Sequence, residues 1–334
     1  MATIYEVAEL AGVSLATVSR VMNKTTRVSD KTKTKVQAAM DELGYRPNSS
    51  AKSLASNRTD SVGVLVSQLY GPFYGPLMSG IESELRTAEI HAIIAAGHSE
   101  EAAEKDGIDF LIGRNCDALI LHVEVVSDEF LIELSKGSTP IVIVNRLVPG
   151  LEENCICLDN ELGGYIATKN LVEHGHTDIA YIAGPLWKDD AKERYAGHQR
   201  ALSEFNVPNN PNLFFEGDFL PASGVIGMRD LFERGESFSA VVCTNDEMAS
   251  GAMDEVRHQG LQIPADISVQ GFDNGVLGEY MYPKLSTVDY PVFDMGTTAA
   301  RWILQKVYRR RATTLKNVFQ PHLIERHSVR RLPK

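Results

Sequence analysis

The stretch Ala2-Thr3-Ile4-Tyr5-Glu6-Val7-Ala8-Glu9-Leu10-Ala11-Gly12-Val13-Ser14-Leu15-Ala16-Thr17-Val18-Ser19-Arg20-Val21 decides how the rest of the chain is read. Thr3 followed three residues later by Glu6 is a capping box, placed ahead of Val7, Ala8 and Ala11 on one helical face. Gly12 ends that helix, and Ser14 caps a second one from 15 to about 22, with Val18 and Val21 on its inner side. Ser29 or Asp30 opens a third helix, which carries Val36, Ala39, Met40 and Leu43 at helical spacing before Gly44. Two short helices joined at a glycine, with a third packed on both, predict a helix-turn-helix head over 1–45. The free N-terminal end of the second helix then presents Leu15, Ala16, Thr17 and Arg20, as a recognition helix presents side chains to base edges. The hydroxyls of Thr17 and Ser19, with Arg20, suit bases or phosphates. Spacing alone leaves a small structural bundle open.

Charge favours the DNA reading. Residues 1–59 hold nine Lys/Arg and five Asp/Glu, a surplus of four positive charges. The whole chain of 334 residues has a net charge of −11, so the rest carries −15. Attraction to phosphate acts within about a Debye length, so a basic head on an acidic body is not a contradiction. Hydrophobic residues at 43% supply a sizeable core. No apolar run approaches the ~20 residues of a membrane span, and the first residues lack a signal-peptide pattern. The cysteines Cys116, Cys155, Cys157 and Cys243 form no CxxC pair, and Cys155 and Cys157 alternate on one face of an expected strand as small apolar filler. A reducing cytoplasm fits this pattern.

Residues 46–60, beginning Arg46-Pro47-Asn48, read as a hinge or linker. Asn48 caps a helix of about two turns there, with Ala51 and Leu54 as a small apolar spot. So short a helix is marginal alone. From Ser61 the pattern becomes α/β. Strand-length apolar runs at 62–66, 92–96, 118–123, 141–144, 179–183, 240–243 and 267–272 alternate with amphipathic stretches at 74–88, 100–115, 161–174, 191–205, 222–234 and 246–259. That predicts two parallel sheets in two lobes, with a ligand cleft at the strand C-termini.

The opening stretch closely resembles the DNA-binding head of the lactose/galactose repressor family of bacterial transcription regulators. The hinge Tyr45-Arg46-Pro47-Asn48, with Ala51 and Leu54-Ala55, is similar to that family. So are Pro72-Phe73-Tyr74, Glu193-Arg194-Tyr195-Ala196-Gly197, Thr244-Asn245-Asp246-Glu247-Met248-Ala249, Gly271-Phe272-Asp273-Asn274 and Leu285-Ser286-Thr287-Val288. Asn145-Arg146-Leu147-Val148-Pro149-Gly150 and Asn317-Val318-Phe319-Gln320-Pro321 look most like the galactose repressor and isorepressor branch. The resemblance implies a helix-turn-helix head, a hinge helix and a two-lobed body of the periplasmic-binding-protein type spanning 61–334. One lobe would take about 62–160 and 291–320, the other about 161–288 and 323–334. It also implies a homodimer, with pairing of two dimers left open, on a pseudo-palindromic double-stranded operator.

The DNA contacts implied by the resemblance fall on Thr3, Ser14, Leu15, Ala16, Thr17, Ser19, Arg20 and Asn23 in the head, and on Asn48, Ala51 and Leu54 in the hinge. The positions matching the family's sugar contacts make chemical sense. Asp273 accepts two hydroxyls, Arg194 donates a fork of N–H groups, and Asn245 offers both a donor and an acceptor. Phe73, Tyr74 and Phe219 lie at the cleft, the two phenylalanines offering flat apolar faces to a pyranose. Asn145 and Asp159 add contacts from the first lobe. Galactose or a related hexose is the expected effector, with no cofactor and no metal.

Enzyme readings fail on the residues. Asp189-Asp190 and Glu152-Glu153 read as solvated loop charge, and the two histidines of Glu173-His174-Gly175-His176 point to different faces at a helix end. No nucleophile elbow, Walker loop or GxGxxG follows a strand. Arg309-Arg310-Arg311 reads as the cationic end of a long helix. The rival reading is a cytoplasmic sugar-binding or sugar-modifying protein whose head mediates assembly. Assembly alone gives no reason for the positive surplus in the head. The expectation is therefore a sugar-responsive transcriptional repressor.

Overall fold

The structure, a computed structural model, describes residues 2–23, 28–46, 58–309 and 315–333. The chain divides into two compact units, Met1–Asp60 and Ser61–Lys334.

The first unit is helical. Helix α1 (Ile4–Ala11) starts at the Thr3–Glu6 capping box and stops at Gly12, whose φ of 63° is the left-handed conformation that suits glycine. Helix α2 (Leu15–Asn23) and α3 (Asp30–Glu42) follow, the latter capped by Ser29 through the amide of Thr32. Val7, Ala8, Ala11, Val18, Val36, Ala39 and Met40 close one small core. The expected hinge helix, with Asn48, Ala51 and Leu54, lies outside the described residues.

The second unit holds two parallel sheets. Strands β1 (Ser61–Val66), β2 (His91–Ala96), β3 (Ala118–Leu121), β4 (Ile141–Val144) and β5 (Cys155–Leu158) join the late strand β11 (Val318–Phe319) in the order β11-β5-β4-β3-β1-β2. Strands β6 (Ile179–Ala183), β7 (Phe214–Glu216), β8 (Ala240–Cys243) and β9 (Ser268–Gln270) form the other sheet, in the order β7-β6-β8-β9. A two-stranded antiparallel ribbon, β10 (Thr287–Val288) with β12 (Leu323–Ile324), completes the strands. Most strands are buried throughout, as parallel strands covered by helices on both faces must be. Cys155 and Cys157 sit in the apolar core, as their alternation implied.

Helices pack over these sheets in close pairs. They are α4 (Tyr74–Thr87), α5 (Glu101–Gly113), α6 (Asp128–Ser135), α7 (Asn160–Glu173), α8 (Asp189–Glu204), α9 (Pro221–Glu233), α10 (Asp246–His258), the short α11 (Val276–Tyr280) and α12 (Val292–Lys306). Between α7 and α8 the backbones touch at glycines. A Cβ on Gly164 would lie 1.9 Å from the Arg194 carbonyl oxygen, and one on Gly197 would lie 2.0 Å from that of Glu161. Only glycine permits this approach, and it fixes the helix that carries Arg194. Helix α12 ends at Lys306, before the arginine run. Arg309 lies past that end with a φ of 50°, and Arg310 and Arg311 lie outside the described residues.

Candidate functional site

In the head, α2 leaves Leu15, Ala16 and Arg20 exposed while Val18 is fully buried. The side chains on this face lie outside the core of the head. Ser14 caps α2: its hydroxyl accepts from the Thr17 amide at 3.2 Å and lies 2.9 Å from the Thr17 hydroxyl. Thr3 is likewise engaged in its own cap, with its hydroxyl donating to Glu6 at 2.9 Å. Ser19 is half-buried. Asn23 is the last residue of α2.

In the body, the loops after the parallel strands converge on one cavity of about 130 Å3. A cavity needs at least roughly 10–15 Å3 to hold one water. The space is thus that of a small ligand, not of a macromolecule. Phe73, Tyr74, Asn145, Arg194, Phe219, Asn245 and Asp273 all line it. Asp159 does not. Strand β5 ends at Leu158, and the Asp159 carboxylate turns to the free end of its own helix, accepting from the Leu162 amide at 3.0 Å.

Arg194 is 2% exposed and held from several sides. Its Nε donates to Asn160 Oδ1 at 3.0 Å and its Nη1 to the Thr244 carbonyl at 2.6 Å. Nη1 is also 3.5 Å from Asp273 Oδ1, and the guanidinium lies 3.8 Å over the Phe272 ring. Nη2 has no protein partner among the described residues, so it is the donor left for a ligand. Asp273 follows β9 in a left-handed backbone with φ 111°. Burial pushes its carboxyl up, Arg194 pulls it down, and Asp246, Asp190 and Glu247 push it up again. A hydroxyl donating to Asp273 would relieve that crowding. Asn245 caps α10: its Oδ1 accepts from the Met248 amide at 2.8 Å and its Nδ2 donates to the Phe219 carbonyl at 2.8 Å. One N–H and one lone pair remain.

The aromatic wall is pre-assembled. Phe73 meets Tyr74 edge-on at 5.2 Å and packs on His122 at 5.3 Å and on Tyr290 at 5.4 Å. His122 Nδ1 lies 3.1 Å from the Ser67 hydroxyl, and burial pushes the imidazole pKa down.

Several lining residues escaped the sequence reading. Lys188 donates to Glu124 at 2.8 Å, a pair whose two members follow β6 and β3 in different sheets. Asn145 joins the sheets as well: its Nδ2 donates to Asp190 Oδ2 at 3.3 Å, and its Oδ1 accepts from the Tyr290 hydroxyl. Asp189-Asp190 was expected in a solvated loop but opens α8, and Asp190 lines the cavity. Lys188 precedes this helix without a side-chain cap, so the usual start signal is missing. Glu152 and Glu153 lie in an exposed 3-10 turn. His174 closes α7, while His176 is buried, 2.8 Å from the Ser239 hydroxyl and 3.1 Å from the Arg330 carbonyl.

A helix-turn-helix head on a two-lobed α/β body, with a small polar cavity at the strand ends, defines a DNA-binding regulator with a ligand-binding body. Comparison with known proteins agrees. Residues 3–48 match the bacterial regulatory proteins of the lacI family, and residues 168–329 match a periplasmic binding protein-like domain. The transcriptional regulator GalR of Escherichia coli (strain K12) is 38% identical over 329 residues, 98% of this chain and 96% of the relative. The transcriptional repressor PurR of Aliivibrio salmonicida (strain LFI1238) is 34% identical over 333 residues, 99% of this chain and all of the relative (100%). The lac repressor dimer bound to operator and the anti-inducer ONPF superposes with a TM-score of 0.88 at 30% identity, covering 98% of this chain and 99% of that one. The complex of the regulator CelR with cellobiose gives 0.72 at 32% identity, covering 98% of this chain and 100% of that one. The chain belongs to the lacI family of bacterial regulatory proteins, and it is a DNA-binding transcriptional regulator.

Proposed function

We propose that this protein is a cytoplasmic, homodimeric repressor whose operator affinity is set by a small sugar, galactose or a related hexose, bound in the cavity between the two sheets. The observation that carries this reading is the facing pair of Asp273 and Arg194 beside Phe73 and Phe219 in one small cavity. A charged acceptor, a charged donor and flat apolar walls suit the hydroxyls and C–H face of a pyranose ring. The related CelR, in complex with cellobiose, supports a sugar as the ligand class.

In this reading residues 1–45 bind the operator, 46–60 form the hinge and 61–334 bind effector and dimerise. One lobe takes about 62–160 and 291–320, and the other about 161–288 and 323–334. Two exposed apolar areas support dimerisation. Ile94 is 44% exposed on the edge strand β2, beside a groove shared with α4. Tyr280 and Tyr282 are 80% and 88% exposed at α11 and just beyond it. Patches of this kind on a monomer mark interaction sites. Two heads then read half-sites in successive major grooves, roughly 34 Å apart or a near multiple. Leu15, Ala16 and Thr17 read bases, Arg20 holds the backbone phosphate, and Thr3, Ser14, Ser19 and Asn23 contribute around them. Asn48, Ala51 and Leu54 act at the operator centre, where Leu54 wedges into a base step. Sugar binding moves the first lobes and so permits or prevents hinge-helix formation, an order–disorder switch.

A thermal-shift screen of common sugars tests the ligand class. Galactose or a close relative should raise Tm as its concentration passes Kd. Stabilisation by sugar phosphates alone would overturn the reading.

A further inference from the structure

Glu247, the second residue of α10, lines the cavity and also an adjoining chamber of about 330 Å3. Its polar neighbours on that wall are satisfied within the protein. Asp246 accepts from the Thr287 hydroxyl at 2.7 Å and from the Gly275 amide at 2.8 Å. Asn245 caps the helix, and Lys188 is paired with Glu124. The Glu247 carboxylate has no hydrogen-bond or ion-pair partner among the described residues. It is half-buried, and burial pushes its pKa up. An acidic side chain in the first turn of a helix complements the dipole and, if solvated, would need no other account. Burial against a cavity without a partner is a different situation, because such a group gains from any donor that arrives.

The lining has an uneven charge. Glu124, Asp190, Asp218, Glu247 and Asp273 are carboxylates, against Lys188 and Arg194 as cations, and both cations already face carboxylates. We propose that Glu247 is a specificity-determining residue of the cleft: it accepts a hydrogen bond from a ligand hydroxyl or ammonium and makes the site select neutral and amino sugars against phosphorylated ones. This rests on the sugar reading above.

Calorimetric titration of the full chain with D-galactose, D-galactosamine and D-galactose 6-phosphate tests it, comparing wild type with Glu247→Gln. Wild type should bind the first two, and the phosphate at least about tenfold more weakly. Glu247→Gln should lose roughly tenfold in affinity for galactosamine relative to galactose and narrow the gap to the phosphate. Glu247→Asp, which keeps the charge, should preserve the exclusion of phosphate and supplies the comparison if the glutamine variant folds poorly. Unchanged affinity ratios in a folded Glu247→Gln, or equal binding of galactose and its phosphate by wild type, would overturn the proposal alone. Binding of none of the three by wild type would overturn the sugar reading and this proposal with it.

Discussion

Asp273 shows how one side chain is assigned a task. Its left-handed backbone, its contact with Arg194 and the surrounding carboxylates make it receptive to a donor. Replacing Asp273 with Ala removes a charged acceptor, worth about 1.5–3 kcal/mol. Effector affinity should therefore fall roughly ten- to hundredfold while operator binding without sugar is kept, as measured by anisotropy with and without effector. His198 leads to a different prediction. It is buried, 2.9 Å from the Thr168 hydroxyl and 4.3 Å from the Tyr181 ring, and burial pushes its pKa down to about 3. The unfolded chain protonates near 6.5, so this histidine costs stability as pH falls below that value. Between pH 7.5 and 5.5 the cost is about 1.4 kcal/mol. Buried carboxyls such as Asp246, raised to about 7, act in the opposite direction, so parent and variant must be compared. His198→Gln should lose less Tm than wild type over that range, whereas parallel losses would show that His198 does not titrate on unfolding.

At the scale of elements, α2 exposes two kinds of side chain. Exposed Leu15 and Ala16 have no polar side-chain atoms, so in the proposed reading they sense shape and thymine methyls, while Arg20 donates to phosphate. Selection from random duplexes should give a changed consensus for a Leu15/Ala16 double variant and an unchanged one for Arg20→Ala, which should bind all sites more weakly. The α7–α8 crossing gives a prediction about stability. Gly164→Ala forces the two backbones apart where Arg194 sits, and should cost about 1–3 kcal/mol together with effector affinity. Gly113→Ala, at the exposed end of α5 with nothing within 4 Å, should change Tm little. Equal Tm values for the two variants would contradict the packing account. These elements were largely legible in the sequence. The runs at 141–144, 179–183 and 240–243 match β4, β6 and β8 residue for residue, because continuous β-branched and small apolar stretches have few alternatives. The expected strand at 267–272 shortens to Ser268–Gln270, and β7, β10, β11 and β12 were not read. Strands of two or three residues carry no period of their own and are held by their neighbours. The site divides in the same way. Arg194, Asn245 and Asp273 sit in recognisable motifs, whereas Glu124, Lys188 and Asp190 meet only when the lobes come together.

For the whole molecule, the proposed function joins an operator-reading head to a sugar-reading body. The contacts Lys188–Glu124 and Asn145–Asp190 link the two sheets across the cleft; in the proposed reading a sugar seated between them would shift the body between closed and open states. A coupling of about 1–3 kcal/mol is usual for such a device, or roughly 5–150-fold in affinity for the second ligand. Anisotropy of a labelled operator, obtained by selection with the full chain and titrated with and without D-galactose, tests this most directly. The account predicts saturable, sequence-specific binding whose midpoint moves by at least about fivefold with sugar, and does not move in Asp273→Ala. Superposable curves with and without galactose and related hexoses, from folded wild-type protein, would contradict it.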